Sequence, residues 1–213
     1  MLYSTVLFDF DGTLFDTSDG ITGCVQYALE KFGIASDKQN LQSFIGPPLA
    51  ESFRRYYGFS EEQAVQAVRY FRERYPAVCI RGSTPYGGIT ELLQKLQKAG
   101  VRLGIATGKP QVFAEKILQA NGLSDYFAVV VGSDPSGTRQ DKAEIVQTAL
   151  DRLQVSDYGS VALVGDTLYD VLGATQCGID CIGVEYGFGL PGAFRDARYT
   201  VPTVSALEAL LLQ

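Results

Sequence analysis

Asp9 and Asp11 stand two residues apart, directly after the apolar run Val6-Leu7-Phe8. A short run of this kind reads as a fully buried parallel strand. Side chains alternate along a strand, so both carboxylates leave its end on the same side. Gly12 follows and permits a turn that a Cβ would resist. Acids at the carboxyl end of a buried strand sit where ligands bind in open α/β sheets. Two carboxylates about 4 Å apart repel by roughly 1 kcal/mol in water and about 4 kcal/mol at an effective dielectric near 20. A divalent cation removes that conflict, and aspartates supply the hard oxygen ligands that magnesium prefers. The plainer alternative is a solvated acidic turn. The buried run before the pair and Gly12-Thr13 after it weigh against that alternative.

Three later strand ends carry polar residues of a useful kind. In Thr107-Gly108-Lys109-Pro110, a hydroxyl, an exposed amide and a helix start come together, which favours a phosphate group. An ordinary strand-to-helix turn uses the same residue types. Arg139 and Lys142 lie near the start of a helix, where the dipole prefers anions. Their placement fits neutralisation of a phosphate or of a phosphorylated Asp9, against the alternative of solvated basic side chains. Asp166 follows the apolar run 161–164, and Asp170 lies four residues on, facing the same way if Asp166 starts a helix. Capping alone accounts for Asp166 but not for Asp170. The chain has no histidine, so acid–base work falls to carboxylates, Lys, Tyr or Cys.

The gapless run Asp9-x-Asp11-Gly12-Thr13-Leu14-x-Asp16-Thr17 resembles the nucleophile motif of the haloacid dehalogenase superfamily of phosphohydrolases. The three later stations match its remaining motifs in order. The resemblance implies a Rossmann-like parallel sheet with an inserted helical cap. It implies that Asp9 attacks phosphorus and forms an aspartyl-phosphate, and that Asp11 is the general acid and base. Members that cleave carbon–halogen or carbon–phosphorus bonds lack an acid at that place, so Asp11 points to phosphate esters. Thr107 and the Gly108 amide would hold phosphoryl oxygens, with Gly12, Thr13, Lys109 and Arg139 as further phosphate contacts. Lys142 would stabilise negative charge on Asp9 and the phosphoryl group. Magnesium would be held by Asp9, Asp166 and the backbone carbonyl of Asp11, with Asp170 acting around it or through water. The superfamily commonly has Ser or Asn after the motif-two Thr, and Gly108 departs from that.

Phe44-Ile45-Gly46-Pro47-Pro48-Leu49 and Tyr186-Gly187-Phe188-Gly189 resemble segments of phosphoglycolate-phosphatase-like members. A small phosphorylated metabolite is then the expected substrate. Nucleotidases, pyrophosphatases and β-phosphoglucomutases share closely similar motifs and remain alternatives. A phospho-Asp signalling module is a further one, which Asp11 opposes, because an adjacent acid–base should make the adduct short-lived.

The elements that must position these residues follow from periodicity. Residues 18–80 read as helices throughout: 18–33, 39–45, one opened by Pro48 and closed by Gly58, and one from a Ser60/Gln63 capping box to Tyr75, stopped by Pro76. Tyr56, Tyr57, Tyr70, Phe71 and Tyr75 read as the core of that lobe. From residue 85, helices at 88–99, 111–121, 141–153, 168–176 and 205–211 alternate with strands at 101–106, 127–131, 160–164, 181–184 and 199–201. That alternation means a parallel sheet with helices on both faces. The expected division is an α/β core of 1–16 and 84–213 with an all-α cap of 17–83, hinged near 16–18 and 81–85.

The 213 residues suffice for one sizeable core plus a smaller lobe. At 46% apolar and 20% charged residues the composition is ordinary globular. A net charge of −6 with no basic run argues against a nucleic-acid partner. No segment reaches the roughly 18 apolar residues of a membrane span, and no leader precedes the first strand. A cytoplasmic location is therefore expected. Cys24, Cys79, Cys177 and Cys181 form no disulfide framework and read as buried or half-buried thiols.

Overall fold

The computed structural model describes residues 2–134 and 141–213. In chain order the elements are β1 (Thr5–Phe8), β2 (Phe15–Asp16), α1 (Ser18–Glu30), a 3-10 segment (Lys38–Phe44), α2 (Leu49–Tyr57), α3 (Glu61–Val78) and β3 (Thr84–Pro85). Then come α4 (Ile89–Lys98), β4 (Arg102–Pro110), α5 (Gln111–Ala120), β5 (Val129–Ser133), α6 (Lys142–Arg152) and β6 (Val161–Gly165). The chain closes with α7 (Leu168–Cys177), β7 (Asp180–Val184), β8 (Tyr199–Val201) and α8 (Val204–Leu211). Two compact units result, Met1–Phe15 with Pro85–Gln213, and Asp16–Thr84.

The α/β unit is a six-stranded sheet in the order β5-β4-β1-β6-β7-β8, with parallel pairing throughout. All four residues of β1 are buried, as a strand covered on both faces requires. Leu7 sits in one cluster with Leu163 of β6, Ile145, Val146, Ala149 and Leu150 of α6, and Val171 and Ala174 of α7. Val6 and Phe8 project to the opposite face by strand alternation and are equally buried. There α4 packs on β4 and on α8. Phe8 pairs in register with Ile105 of β4 and with Val164 of β6. β1 and β6 therefore end nearly level, while β4 runs on past them to Pro110. From β1 the chain proceeds to β4 and β5 on one side, then returns to β6, β7 and β8 on the other. The strand order thus reverses beside β1, where ligands bind in open α/β sheets.

The unit Asp16–Thr84 is helical. Ser60 accepts from the Gln63 amide at 3.2 Å and the Gln63 side chain accepts from the Ser60 amide at 2.9 Å, the reciprocal cap expected at the start of α3. Two expectations need correction. Pro76 does not stop α3, which runs on to Val78. A proline this near the helix end removes a single backbone bond of the last turn, and the Cys79 amide still reaches the Tyr75 carbonyl at 2.9 Å. The aromatic core is also larger than expected. Phe32, Phe44, Phe53 and Phe59 join it, with Phe32–Phe59 centroids at 4.8 Å and Phe44–Phe53 at 4.9 Å. Tyr57 and Tyr70 pack on these rings, Phe71 and Tyr75 are buried as expected, and Tyr56, at 40% exposed, lies at the edge. Among the described residues no helix is long and apolar enough to cross a membrane.

Candidate active site

After β1 the backbone bonds once more to its neighbour, Asp9 N to the Val164 carbonyl at 2.8 Å, and then turns away. Phe10 is fully buried and stacks on Phe15 at 4.5 Å, anchoring the turn. Gly12 takes φ +81°, a left-handed conformation that side chains resist, and a Cβ there would overlap the Asp166 carboxylate. The turn therefore needs Gly12 for its backbone and for the acid behind it.

Asp9, Asp166 and Asp170, all buried, each offer a carboxylate oxygen within 4.8 Å of the others. Lys142 Nζ bridges two of them, at 2.8 Å from Asp9 Oδ1 and 2.5 Å from Asp170 Oδ1. Lys142 is the first residue of α6, whose dipole is served instead by Asp141, the N-cap that accepts from the Ala143 amide at 2.8 Å. Its stem passes Gly173 of α7, where a Cβ would meet Lys142 Cγ at 2.7 Å. Gly173 was not legible as part of the site, because its contribution is the absence of a side chain.

Asp166 is held at both oxygens. Oδ1 accepts from the Thr13 hydroxyl at 3.2 Å, and Oδ2 from the Phe188 amide at 2.8 Å. Gly187 and Gly189 press against Asp166 so closely that a Cβ at either would overlap it. The segment 186–189 thus wraps one acid of the cluster. Thr13, expected as a phosphate contact, has its hydroxyl engaged by Asp166. Asp170 corrects another expectation. Its Oδ2 accepts from the amide and hydroxyl of Thr167 at 2.9 and 2.7 Å, so Asp170 serves the start of α7 while Asp166 does not. One oxygen of Asp170 ties down the helix, and the other faces Lys142.

Burial dominates the electrostatics. It pushes the Asp9 carboxyl up to about 6 against the pull of Lys142, with Asp170 adding to the rise. Asp166 is raised well above the ordinary range by burial and by the charges of Asp170 and Asp9. Burial works to lower Lys142, but Asp170 and Asp9 outweigh it and hold the ammonium above its usual value. With all three acids ionised, as a cation requires, one ammonium leaves two negative charges in excess. Asp9 Oδ1 and Asp170 Oδ1 are buried with no hydrogen bond in good geometry, only their ion pairs to Lys142. A divalent cation with a preference for hard oxygen ligands fits this donor set and closes the charge.

Asp11 stands apart. Its carboxylate is not in the cluster, and Oδ1 meets Lys109 Nζ at 2.6 Å. Lys109 is the penultimate residue of β4, which continues past the expected end at 106 with a register shift between Thr107 and Pro110. Thr107 is buried, and its Oγ1 accepts from the Lys109 amide at 3.2 Å. Gly108 is exposed, and a Cβ there would meet nothing within 4 Å. Arg139 lies outside the described residues. Cys181 sits in the core, its thiol pushed up to about 12 by burial, Cys24 and Cys79 are buried and Cys177 is half-buried, as expected of structural thiols.

Residues 6–184 match the family described as haloacid dehalogenase-like hydrolase, and the chain belongs to it. Over 194 residues the chain is 42% identical to a 5'-nucleotidase of Pseudomonas aeruginosa, spanning 91% of this chain and 87% of that protein. It is 36% identical over 203 residues to the tyrosine-protein kinase PtkA of Mycobacterium tuberculosis, spanning 94% and 68%. A phosphoglycolate phosphatase of Agrobacterium fabrum is 28% identical over 188 residues, spanning 85% and 80%. The crystal structure of a predicted phosphatase from Clostridium acetobutylicum matches with a TM-score of 0.93 at 40% identity, covering 100% of this chain and 99% of that one.

Proposed function

We propose that this protein is a magnesium-dependent phosphomonoester hydrolase that acts on a small phosphorylated metabolite through an aspartyl-phosphate on Asp9. The observation that carries the reading is the buried cluster of Asp9, Asp166 and Asp170, bridged by Lys142 and two negative charges in excess.

Asp9, Asp166 and the backbone carbonyl of Asp11 would hold magnesium, with Asp170 beside them. The bound ion supplies positive charge to the phosphoryl oxygens, as phosphoryl transfer demands. In the first step an Asp9 oxygen attacks phosphorus, the bond to the leaving oxygen breaks, and Asp11 gives that oxygen a proton. In the second step water attacks the phosphoryl group, Asp11 takes its proton, and the bond to Asp9 breaks to release inorganic phosphate. Splitting the reaction through a covalent intermediate makes each step easier for a weak carboxylate nucleophile. Thr107 and the Gly108 amide hold the phosphoryl oxygens, and Lys142 offsets their charge and that of Asp9. The helical unit serves as the cap that selects substrate, hinged near 16–18 and 81–85.

Among substrate classes, nucleoside 5'-monophosphates are favoured over phosphoglycolate by the stronger similarity to a protein named 5'-nucleotidase. The test is phosphate release from a panel of nucleoside monophosphates, phosphoglycolate, pyrophosphate and hexose phosphates, with magnesium or with chelator. Turnover should require magnesium and fall at least about 10⁴-fold in Asp9→Asn, since the whole covalent route is lost. Release at the parent rate by that variant would end the reading. Hexose phosphate isomerisation without free phosphate would make the protein a mutase.

A further inference from the structure

We propose that Lys109 is a positioning residue for Asp11 rather than a ligand of the phosphate. The inference rests on the acid–base role given to Asp11 above. Lys109 Nζ lies 2.6 Å from Asp11 Oδ1, and the lysine side chain is 2% exposed against 18% for the aspartate. Solvent therefore reaches Asp11, whereas the lysine side chain is closed to it. The ammonium also lies 5.3 Å from the ring centre of Phe10, the residue between the two acids. The Lys109 backbone is fixed in turn, because its amide donates to Thr107 Oγ1. The pair joins the turn after β1, which carries Asp11, to the end of the neighbouring strand β4, which carries Lys109. A charge-assisted bond of this length constrains carboxylate orientation, and proton transfer by a positioned side chain depends on that orientation.

Chemistry separates positioning of the acid from binding of phosphate. When the phosphorus–oxygen bond to an alkyl leaving group breaks, that oxygen needs the Asp11 proton. A nitrophenolate leaves as a stable anion and needs none. Loss of Lys109 should therefore damage phosphoryl transfer from alkyl esters and spare activated aryl esters. A lost phosphate ligand would damage both alike.

The experiment compares kcat/KM of the full chain with magnesium for an alkyl phosphate and for 2,4-dinitrophenyl phosphate. This ratio reports the steps through transfer to Asp9. Lys109→Met should lose about 30-fold on the alkyl ester and no more than about threefold on the aryl ester, part of the 10²–10⁴ that general acid catalysis contributes. Lys109→Arg keeps a charged partner and should recover most of the alkyl rate, while Asp11→Asn should show the same contrast in larger measure. Thermal melts with magnesium verify that each variant is folded, and the aryl ester serves as the internal control. Equal losses on the two esters in Lys109→Met, beside a clear contrast in Asp11→Asn, would overturn the inference alone. An Asp11→Asn variant without the contrast would remove the acid–base role itself, and the inference with it.

Discussion

Asp9 and Asp11 are two residues apart in sequence, and each meets a lysine from a distant part of the chain, yet the two pairs are built differently. Lys142 is shared between Asp9 and Asp170, with Asp166 close by, so that region is buried and carries excess negative charge. Lys109 meets Asp11 across 2.6 Å, ammonium to carboxylate, at a position where the aspartate is partly exposed. The contrast follows from the turn. The first acid faces Lys142 and the acids after β6, and the second, beyond Phe10, faces Lys109 at the end of β4. A charge-deficient pocket needs a cation to be complete, whereas a carboxylate already met by an ammonium does not. One strand end thus yields a place for a metal and a separate carboxylate that can exchange protons.

The largest test of this contrast is removal of the shared ammonium. Lys142→Met leaves three buried carboxylates with no positive partner. Breaking a buried pair in this way costs about 3–5 kcal/mol, so urea denaturation of the metal-free variant should show a loss of that order. Magnesium should restore part of it, since the ion neutralises the same oxygens. Turnover should fall by at least about 100-fold, because a charge on the transferring group has been removed. If metal-free Lys142→Met were as stable as the parent, the cluster would not be held together by charge.

A smaller effect, in the same region, is the coupling of metal binding to pH. The Asp9 carboxyl is raised from 3.8 to about 6 in the folded chain. Its protonated form is therefore favoured by folding. The stability it contributes is complete below about pH 4 and is lost as pH rises through about 6. Asp166 is shifted in the same direction. Magnesium requires the ionised forms, so binding releases protons and strengthens as pH rises. The increase in melting temperature on adding magnesium should be small at pH 5 and large at pH 7.5. In Asp9→Asn the pH dependence of that increase should flatten. A magnesium effect of equal size at both pH values would show that these acids do not ligate the ion.

How much of this was legible depended on how local each cause is. The alternation of strand and helix, the Ser60/Gln63 cap and the four polar strand ends are written in short windows, and the α/β sheet followed from them. Pro76 was misread because its cost depends on how near the helix end lies, which other contacts decide. The aromatic core of the helical unit is legible only in part, for a similar reason. Phe32, Phe44, Phe53 and Phe59 come from different segments, and spacing along one helix does not reveal which rings meet. Asp166 and Asp170 both stand out in the sequence, but the capping alternative offered for Asp166 belongs to Asp170. The start of α7 falls at Thr167, one residue later than a cap at Asp166 requires. The Phe188 amide was invisible for a deeper reason. A backbone N–H carries no residue identity, and only the adjacent glycines, shaped to the acid beneath them, mark the place.

The smallest predicted effect lies between the two regions, at Gly108, next to the lysine that holds Asp11. A serine there would meet no heavy atom within 4 Å at its Cβ. The backbone is not among the positive-φ positions of the described chain, so a side chain brings no strain. Gly108→Ser should therefore change stability by no more than about 0.5 kcal/mol, as surface substitutions away from special features do. It adds a hydroxyl next to the Gly108 amide, on open space. If the phosphoryl group lies at Thr107 and the Gly108 amide, one further hydrogen bond worth about 0.5–1.5 kcal/mol should lower KM by roughly two- to tenfold. The kcat, set by Asp9 and Asp11, should stay within about twofold on the same grounds. An unchanged KM would move the phosphate away from this loop. A collapse in kcat would mean that the loop sets the Lys109–Asp11 pair more tightly than its exposure implies, and that this pair is as sensitive to its surroundings as the buried cluster.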